Sequence, residues 1–351
     1  MPTALASIAT SYQLPAKEFE KQYKDHLSGF RNWEQLDHAD KWVLFTQNIG
    51  THLSIDEVSL SNGELYTILT NKAAHGTRGA LVAMVAGTRS DDVAQVLSRI
   101  ELIERTQVTE VTLDMSPAME RIVERSFPRA RLVTDRFHVQ QLISEAIQEV
   151  RMTFRREAIK TENESLIKAK ANGERYMPKV YANGDTKKQL LARGRHLVFM
   201  PQSRWHESQR ERATILFKEF PRIKQAYDLS MLFRGCYENA SNKVEATILL
   251  EQWYAKVKAS GLEEFILVAD TIKAHQDTIL NYFVNRSTNA SAESFNAKLK
   301  GFRTLVRGVG DKKFFIFRIC KIYGWKENNT FACDPDNQGD NRDDADRDDK
   351  A

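Results

Sequence analysis

Residues 51–70 read THLSIDEVSLSNGELYTILT, and no other stretch of the chain indicates the fold as clearly. Its β-branched and alternating apolar residues predict one strand over Thr51–Leu60 and a second over Glu64–Thr70. Between them, Ser61-Asn62-Gly63 has the composition of a turn. The segment therefore predicts two consecutive strands at the beginning of a sheet.

Further strands and helices follow this pair along the chain. Ala80–Ala86 is predicted as a third strand, Val108–Leu113 as a fourth and Arg131–Thr134 as a fifth. A helix that begins near Asp91 separates the third strand from the fourth, and a helix over Met115–Ser126 separates the fourth from the fifth. The order β-β-β-α-β-α-β predicts an α/β fold with a ribonuclease-H-like mixed sheet of five strands.

The 351-residue chain divides into five segments around this predicted sheet. Residues 1–46 are predicted to be helical, and the first part of the core covers residues 47–138. Over residues 139–285 the strand pattern disappears, and helical periodicity predicts a large all-α insertion before the last helix of the core. The core resumes over residues 286–328. Residues 329–351 form an acidic tail that is too charged to fold alone and is expected to be disordered.

Three acidic residues occupy informative places on these elements. Asp56 lies within the first strand, Asp114 directly follows the fourth, and Glu293 lies near the start of a basic helix, Ser291–Lys300. The first and fourth strands are neighbours in the predicted topology, so the first two carboxylates could converge. Asp114 could instead cap a helix, and Glu293 could simply favour the helix dipole. A mid-strand carboxylate such as Asp56 is costly to bury unless it binds a cation or hydrogen-bond donors.

Two carboxylates from strands and one from a later helix can together hold a pair of Mg²⁺ or Mn²⁺ ions. Mg²⁺ binds hard oxygen ligands and keeps open positions for phosphate oxygens and water. Two such ions about 3.5–4 Å apart can activate a nucleophile and stabilise a leaving oxygen in phosphodiester chemistry. Asp56, Asp114 and Glu293 are therefore the candidate catalytic and metal-binding residues of a nuclease or a DNA strand-transfer enzyme.

The positive charge of the chain is clustered. The net charge is only +4, yet residues 151–224 contain 18 Lys or Arg against 8 acidic residues, and residues 294–326 contain 9 against 1. Such clusters suit a polyanion such as nucleic acid, and a solvated helix face is the alternative. The candidate DNA-binding residues of the second cluster are Asn296, Lys298, Lys300, Arg303 and Arg307.

Hydropathy and the N-terminal sequence bear on the compartment. No apolar run approaches the roughly 18–20 residues that a membrane span requires. The N-terminus lacks a basic stretch followed by an apolar core, so no secretory signal is visible. A cytoplasmic protein without a membrane partner is expected.

The motif Asp135-Arg136-Phe137-His138 follows the fifth strand. An Asp and a His three residues apart on one helical turn could share a proton, and a purely structural pair is the alternative. Neither residue is assigned as a zinc ligand, because no partners with metal-ligand spacing are present in the sequence.

Several of these segments resemble the bacterial DDE insertion-sequence transposases of the ISL-three type. The segments that carry the resemblance are Ile55-Asp56-Glu57, Asp114-Met115-Ser116, Asp135-Arg136-Phe137-His138-Val139 and Asn289-Ala290-Ser291-Ala292-Glu293-Ser294-Phe295-Asn296. In that family the catalytic core is ribonuclease-H-like, and a helical insertion precedes the final Glu. The resemblance implies that Asp56, Asp114 and Glu293 form the metal-binding triad. It also implies that Asp135 and His138 are an auxiliary pair, with Asp135 as the alternative second acid.

The activity implied by this resemblance is metal-dependent cleavage at the ends of an element and strand transfer into target DNA, by a homo-oligomer assembled on DNA. The alternatives are a metal-dependent nuclease or resolvase without strand transfer, and a non-catalytic DNA-binding remnant. Family members often carry an N-terminal cysteine-rich zinc module and a helix-turn-helix, but no cysteine precedes Cys236 here. Recognition of the element ends is therefore expected from a separate DNA-binding subunit, unless the chain is a partial copy.

Overall fold

A six-stranded mixed sheet lies at the centre of the protein. The computed structural model describes residues 4–61, 63–306 and 310–325, with the side chain of Ser61 left out. The strands are β1 (Trp42–Leu44), β2 (His52–Ser61), β3 (Glu64–Asn71), β4 (Leu81–Ala86), β5 (Glu110–Leu113) and β6 (Arg131–Thr134).

The helices of the described residues occur in three groups along the chain. Two short helices precede the sheet, α1 (Leu5–Ser11) and α2 (Ala16–Gln22), the second continued by a π-helical turn. Three lie between sheet strands: α3 (Ser90–Leu97), α4 (Leu102–Arg105) and α5 (Pro117–Ser126). The remaining helices follow β6, and they are α6 (Arg136–Ala171), α7 (Lys187–Arg193), α8 (Glu207–Glu219), α9 (Pro221–Asn239), α10 (Lys243–Ser260), α11 (Glu263–Ala274), α12 (Gln276–Leu280), α13 (Tyr282–Asn285), α14 (Ala290–Leu305) and α15 (Lys312–Tyr323).

The order of the strands across the sheet is β1-β4-β3-β2-β5-β6. Strands β1 to β4 pair antiparallel where they adjoin, whereas β2 pairs parallel with β5, and β5 pairs parallel with β6. This is a mixed α/β arrangement that is compatible with a ribonuclease-H-like fold.

The sheet has six strands instead of the predicted five, because Trp42–Leu44 pairs antiparallel with β4. The prediction that residues 1–46 are helical is therefore wrong at its end. The segment is only three residues long, too short to display a period-two pattern, and its strand conformation depends on the pairing with Val85, Met84 and Ala83.

Register determines which side chains share a face of the sheet. Ser54 lies opposite Thr112 on the neighbouring parallel strand, and Leu113 lies opposite Thr134. Because side chains alternate between faces, continuing these registers puts Asp56, Asp114 and Asp135 on one face of the sheet, with Asp56 in the middle of β2 and the other two directly after β5 and β6. We call this side the site face.

Apolar side chains cover both faces around these polar positions. On the site face, Val58 and Ile68 belong to a core that includes Phe295 of α14 and Phe317 of α15. On the opposite face, Ile55 packs in a core with residues of α3 and α5. Helix α14 thus lies on β2 directly beside the acidic positions.

Helices α6 to α13 build a separate apolar core and return the chain to the site face. They contact the edge strand β6 through α12, where the hydroxyl groups of Thr134 and Thr278 are 2.7 Å apart and Asn281 donates to the Leu132 carbonyl at 2.9 Å. Within the described ranges, no helix has the length and apolarity required to cross a bilayer. The predicted acidic tail, residues 329–351, lies outside the described residues, and the predicted domain boundaries remain predictions.

Candidate active site

Asp56 is held by two hydrogen bonds in the middle of β2. Its Oδ1 accepts from the backbone N–H of Glu57 at 2.8 Å, and its Oδ2 accepts from Asn296 Nδ2 at 2.6 Å. Burial raises the pKa of Asp56, and the nearby negative charges of Asp114 and Asp135 raise it further. The bond to Glu57 and the charge of His138 oppose this shift. A carboxylate in this setting would gain from a bound cation.

Asp114 follows β5 directly and is half-buried. Its Oδ1 accepts from the backbone N–H of Ser116 at 3.0 Å, which closes an Asx turn. The N-cap position of α5 is occupied by Ser116, so the alternative that Asp114 is the helix cap does not hold. The charge of Asp114 raises the pKa of both Asp56 and Glu57, which places this carboxylate beside β2.

Asp135 directly follows β6 and forms a hydrogen bond with the residue that precedes α14. It is buried, with 2% of its surface exposed, and it occupies the N-cap position of α6 without a capping bond from its side chain. Instead, Oδ1 accepts from the backbone N–H of Asn289, the N-cap residue of α14, at 3.2 Å. Its Oδ2 is buried and accepts no bond from a backbone or side-chain donor of the described residues. The Glu293 carboxyl lies close enough to share a hydrogen bond with the Asp135 carboxyl, which raises the pKa of Glu293.

Glu293 lies in the first turn of α14 with an exposed side chain. Partial burial of the carboxyl raises its pKa, and the negative charges of Asp135 and then Asp56 raise it further, while His138 has the opposite effect. The five candidate site residues are thus in one electrostatic neighbourhood on the site face, with Asp56 influenced by each of the other two aspartates.

The donor chemistry of this neighbourhood fits a hard divalent cation. All four acids offer carboxylate oxygens, and burial followed by mutual repulsion raises the pKa of Asp56 and Glu293. No three His, Cys, Asp or Glu side chains of the described ranges are grouped closely enough to hold one metal ion. Mg²⁺ does not require such a cage, because it is commonly bound by one or two carboxylates together with water and substrate phosphates.

The predicted DNA-binding residues have different surroundings in the structure. Asn296 is buried and donates to Asp56, so it lies beside this carboxylate, and its role as a phosphate contact stays a prediction. Lys298 donates to the Gly76 carbonyl at 2.7 Å. Lys300 is exposed and Arg303 is half-buried, while Arg307 lies outside the described residues.

Lys72 is a further residue near the site that the sequence did not single out. Its ammonium group donates to Thr112 Oγ1 at 2.8 Å and to Ser287 Oγ, and it lies 3.8 Å from Glu110 Oε1. The other oxygen of Glu110 accepts from Asn285 Nδ2 at 2.7 Å. This network ties β5 to the segment that leads into α14. No local pattern marks it, because its members are far apart in the chain.

Comparison with known proteins adds an independent finding. The family model DDE_Tnp_ISL3, described as Transposase, matches residues 53–319, about three quarters of the chain. The matched range includes all the acids described above and His138. A search of curated proteins gives no match.

Proposed function

The chain belongs to the ISL-three-type DDE transposases, and from this membership we propose that it cleaves DNA at the ends of an insertion sequence and joins the freed ends to target DNA. The observation that carries the proposal is the electrostatic coupling of Asp56, Asp114, Asp135 and Glu293 on one face of the sheet. Binding of DNA alone does not require partly buried carboxylates, whereas metal-dependent phosphodiester chemistry does.

We further propose that the sheet is of the ribonuclease-H-like type and that the helices between β6 and α14 are an insertion into it. Support comes from the antiparallel pairing of β2, β3 and β4 followed by the parallel pairing of β2, β5 and β6. It also comes from the separate apolar core of the intervening helices.

In the proposed mechanism, Asp56, Asp114 and Glu293 would hold a pair of Mg²⁺ or Mn²⁺ ions. When bound, such ions supply a nucleophile of lowered pKa and neutralise charge on the reacting phosphate. Asn296 fixes the orientation of Asp56 through the 2.6 Å bond. Asp135 holds the start of the Glu293 helix and is the alternative second acid.

The basic surface is proposed to bind the DNA on which these acids act. Exposed Lys300 and half-buried Arg303 extend along α14 from Glu293, so phosphates bound there would lie next to the acidic site. Assembly as a homo-oligomer on paired ends, and a separate subunit for end recognition, remain part of the proposal.

A strand-transfer assay tests the proposed function against its alternatives. Duplexes that carry the ends of the element are incubated with the protein, a plasmid target and Mg²⁺. We expect cleaved ends and plasmid-joined products, both abolished when EDTA replaces the metal. Cleavage without joined products would instead identify a nuclease or resolvase, and metal-independent binding without cleavage would identify a DNA-binding remnant.

Asn296→Ala is expected to reduce cleavage by roughly 10–100-fold, because outer-shell partners that orient a ligating carboxylate have effects of this size. The variant should also require more Mg²⁺ to reach its maximal rate. A suitable control is Thr304→Ala on the same helix, an exposed position at which only a bond to the Lys300 carbonyl is lost. Cleavage by Asn296→Ala at the wild-type rate and metal requirement would show that this amide does not orient Asp56 for the reaction.

A further inference from the structure

A cavity lined by three arginines lies apart from the acids, between helix α6 and the end of helix α7. It has a volume of about 480 Å³, and its lining residues are Gln148, Arg151, Met152, Arg155, Ala192 and Arg195. The first four follow the spacing i, i+3, i+4 and i+7, so they share one face of α6. Three arginines therefore line one space.

Arg151 is almost completely buried in this cavity, with 3% of its surface exposed. Its donors bond to neutral groups: Gln148 Oε1 at 2.8 Å, the Leu191 carbonyl at 2.6 Å and the Met152 sulfur at 3.3 Å. The Leu191 carbonyl belongs to the last turn of α7, so this bond also caps that helix. Each nitrogen of Arg151 thus has one neutral acceptor, and none of these three bonds supplies a counter-charge.

The other two arginines add positive charge without adding an acid. In the described part of the chain, none of the three guanidinium groups forms an ion pair with a carboxylate, although other arginines of α6 and α7 do. Burial lowers the pKa of Arg151 to about 10, and the charges of Arg155 and Arg195 contribute. The Nε of Arg155 is buried and has no hydrogen-bond partner among the described residues. Such an uncompensated cluster is costly unless an anion joins it.

We propose that this cavity is a binding site for a phosphate oxyanion. The planar guanidinium fork matches the geometry of phosphate and bonds to it in a bidentate manner. A bound phosphate would reach the guanidinium of Arg155 and that of Arg195 at the rim, and it would supply the missing negative charge beside Arg151. The site stands on its own geometry. If the proposed function holds, the natural source is a backbone phosphate of DNA that crosses α6.

The test compares two substitutions at adjacent positions of α6. Arg155→Gln removes a cavity guanidinium, whereas Arg156→Gln removes the same charge from an exposed side chain that pairs with Glu149 at 2.7 Å. Arg151 is left intact because it also caps α7. The probes are inorganic phosphate, measured by thermal shift against chloride at equal ionic strength, and a short duplex of arbitrary sequence, measured by salt titration of its affinity.

We expect phosphate to raise the melting temperature of the wild type and of Arg156→Gln, but not of Arg155→Gln. If the phosphate belongs to DNA, the slope of log K against log salt falls by about 0.9 in Arg155→Gln, the value for one lost phosphate contact. A phosphate effect without a change of slope would assign the site to a free phosphate compound.

Equal behaviour of the two variants with both probes overturns the site. Should Arg155→Gln fail to fold, Arg195→Gln at the exposed rim of the cavity gives the same comparison. Neither readout depends on catalysis, so loss of this site and failure of the proposed transposase activity can be told apart.

Discussion

Asp56→Asn is expected to lower cleavage and strand transfer about 1,000-fold while leaving the melting temperature unchanged or slightly higher. A metal ion contributes several kcal/mol to phosphoryl-transfer catalysis, and a loss of about 4 kcal/mol corresponds to a factor of about 1,000. The stability expectation follows from the raised pKa of Asp56, since folding disfavours its charged form. Asn keeps the shape of the side chain and removes the charge, and its amide can keep both bonds if Asn296 rotates its own amide so that Oδ1 accepts. Activity should therefore fall without a loss of stability.

The control for Asp56→Asn is a substitution of the neighbouring acid, Glu57. Glu57→Gln removes a charge one position away, where the side chain points to the other face of the sheet, and should retain most of the activity. Activity near the wild-type level in Asp56→Asn would remove this residue from the site. The same assay applied to Asp114→Asn and Glu293→Gln tests the remaining two members of the proposed triad.

The identity of the second acid can be decided in the same series. Asp135 makes a structural bond to the N–H of Asn289, whereas Asp114 bonds only to its own turn. Asp114→Asn is therefore expected to resemble Asp56→Asn, with lost activity and retained stability. A reversed result, in which Asp135→Asn is the inactive and stable variant, would assign the second position to Asp135.

The sequence was most informative where a pattern is local. The alternation in residues 51–70 predicted β2 and β3, and a carboxylate in the middle of such a strand is unusual enough to single out Asp56. Strand β1 could not be predicted in this way. Its three residues become a strand only because β4 offers an edge to pair with, and this is a tertiary effect that overrides local preference.

Local sequence patterns were also insufficient to predict the contacts of the candidate site. Helical spacing predicted correctly that Asn296 shares a face with Glu293, but it could not reveal that the amide bonds to Asp56, 240 positions earlier. The same holds for Lys72 and Ser287, which are 215 positions apart and meet only in the folded chain. Contacts of this kind depend on how the later helices return to the sheet, and no short-range signal encodes that return.

Lys72→Met is expected to destabilise the protein by about 3–5 kcal/mol, the usual cost when one partner of a buried ion pair is removed. The reason lies with Glu110, whose side chain is only 1% exposed and would be left buried without a cation nearby. Urea denaturation should show a lower midpoint for Lys72→Met. Lys256→Met, at an exposed position of α10, should stay within about 0.5 kcal/mol of the wild type.

The double variant Lys72→Met/Glu110→Gln separates charge from packing. If the unpaired carboxylate of Glu110 causes the loss of stability in Lys72→Met, the neutral Gln should restore more than half of the lost free energy of unfolding. The reason is that Gln can still accept from Asn285. Absence of recovery would mean that the bonds from Lys72 to Thr112 and Ser287 carry the stability instead. In either case the segment before α14 would be loosened, so a defect in the proposed cleavage reaction should accompany the loss of stability. An unchanged urea midpoint in Lys72→Met would contradict the role of this network in fixing α14 against the sheet.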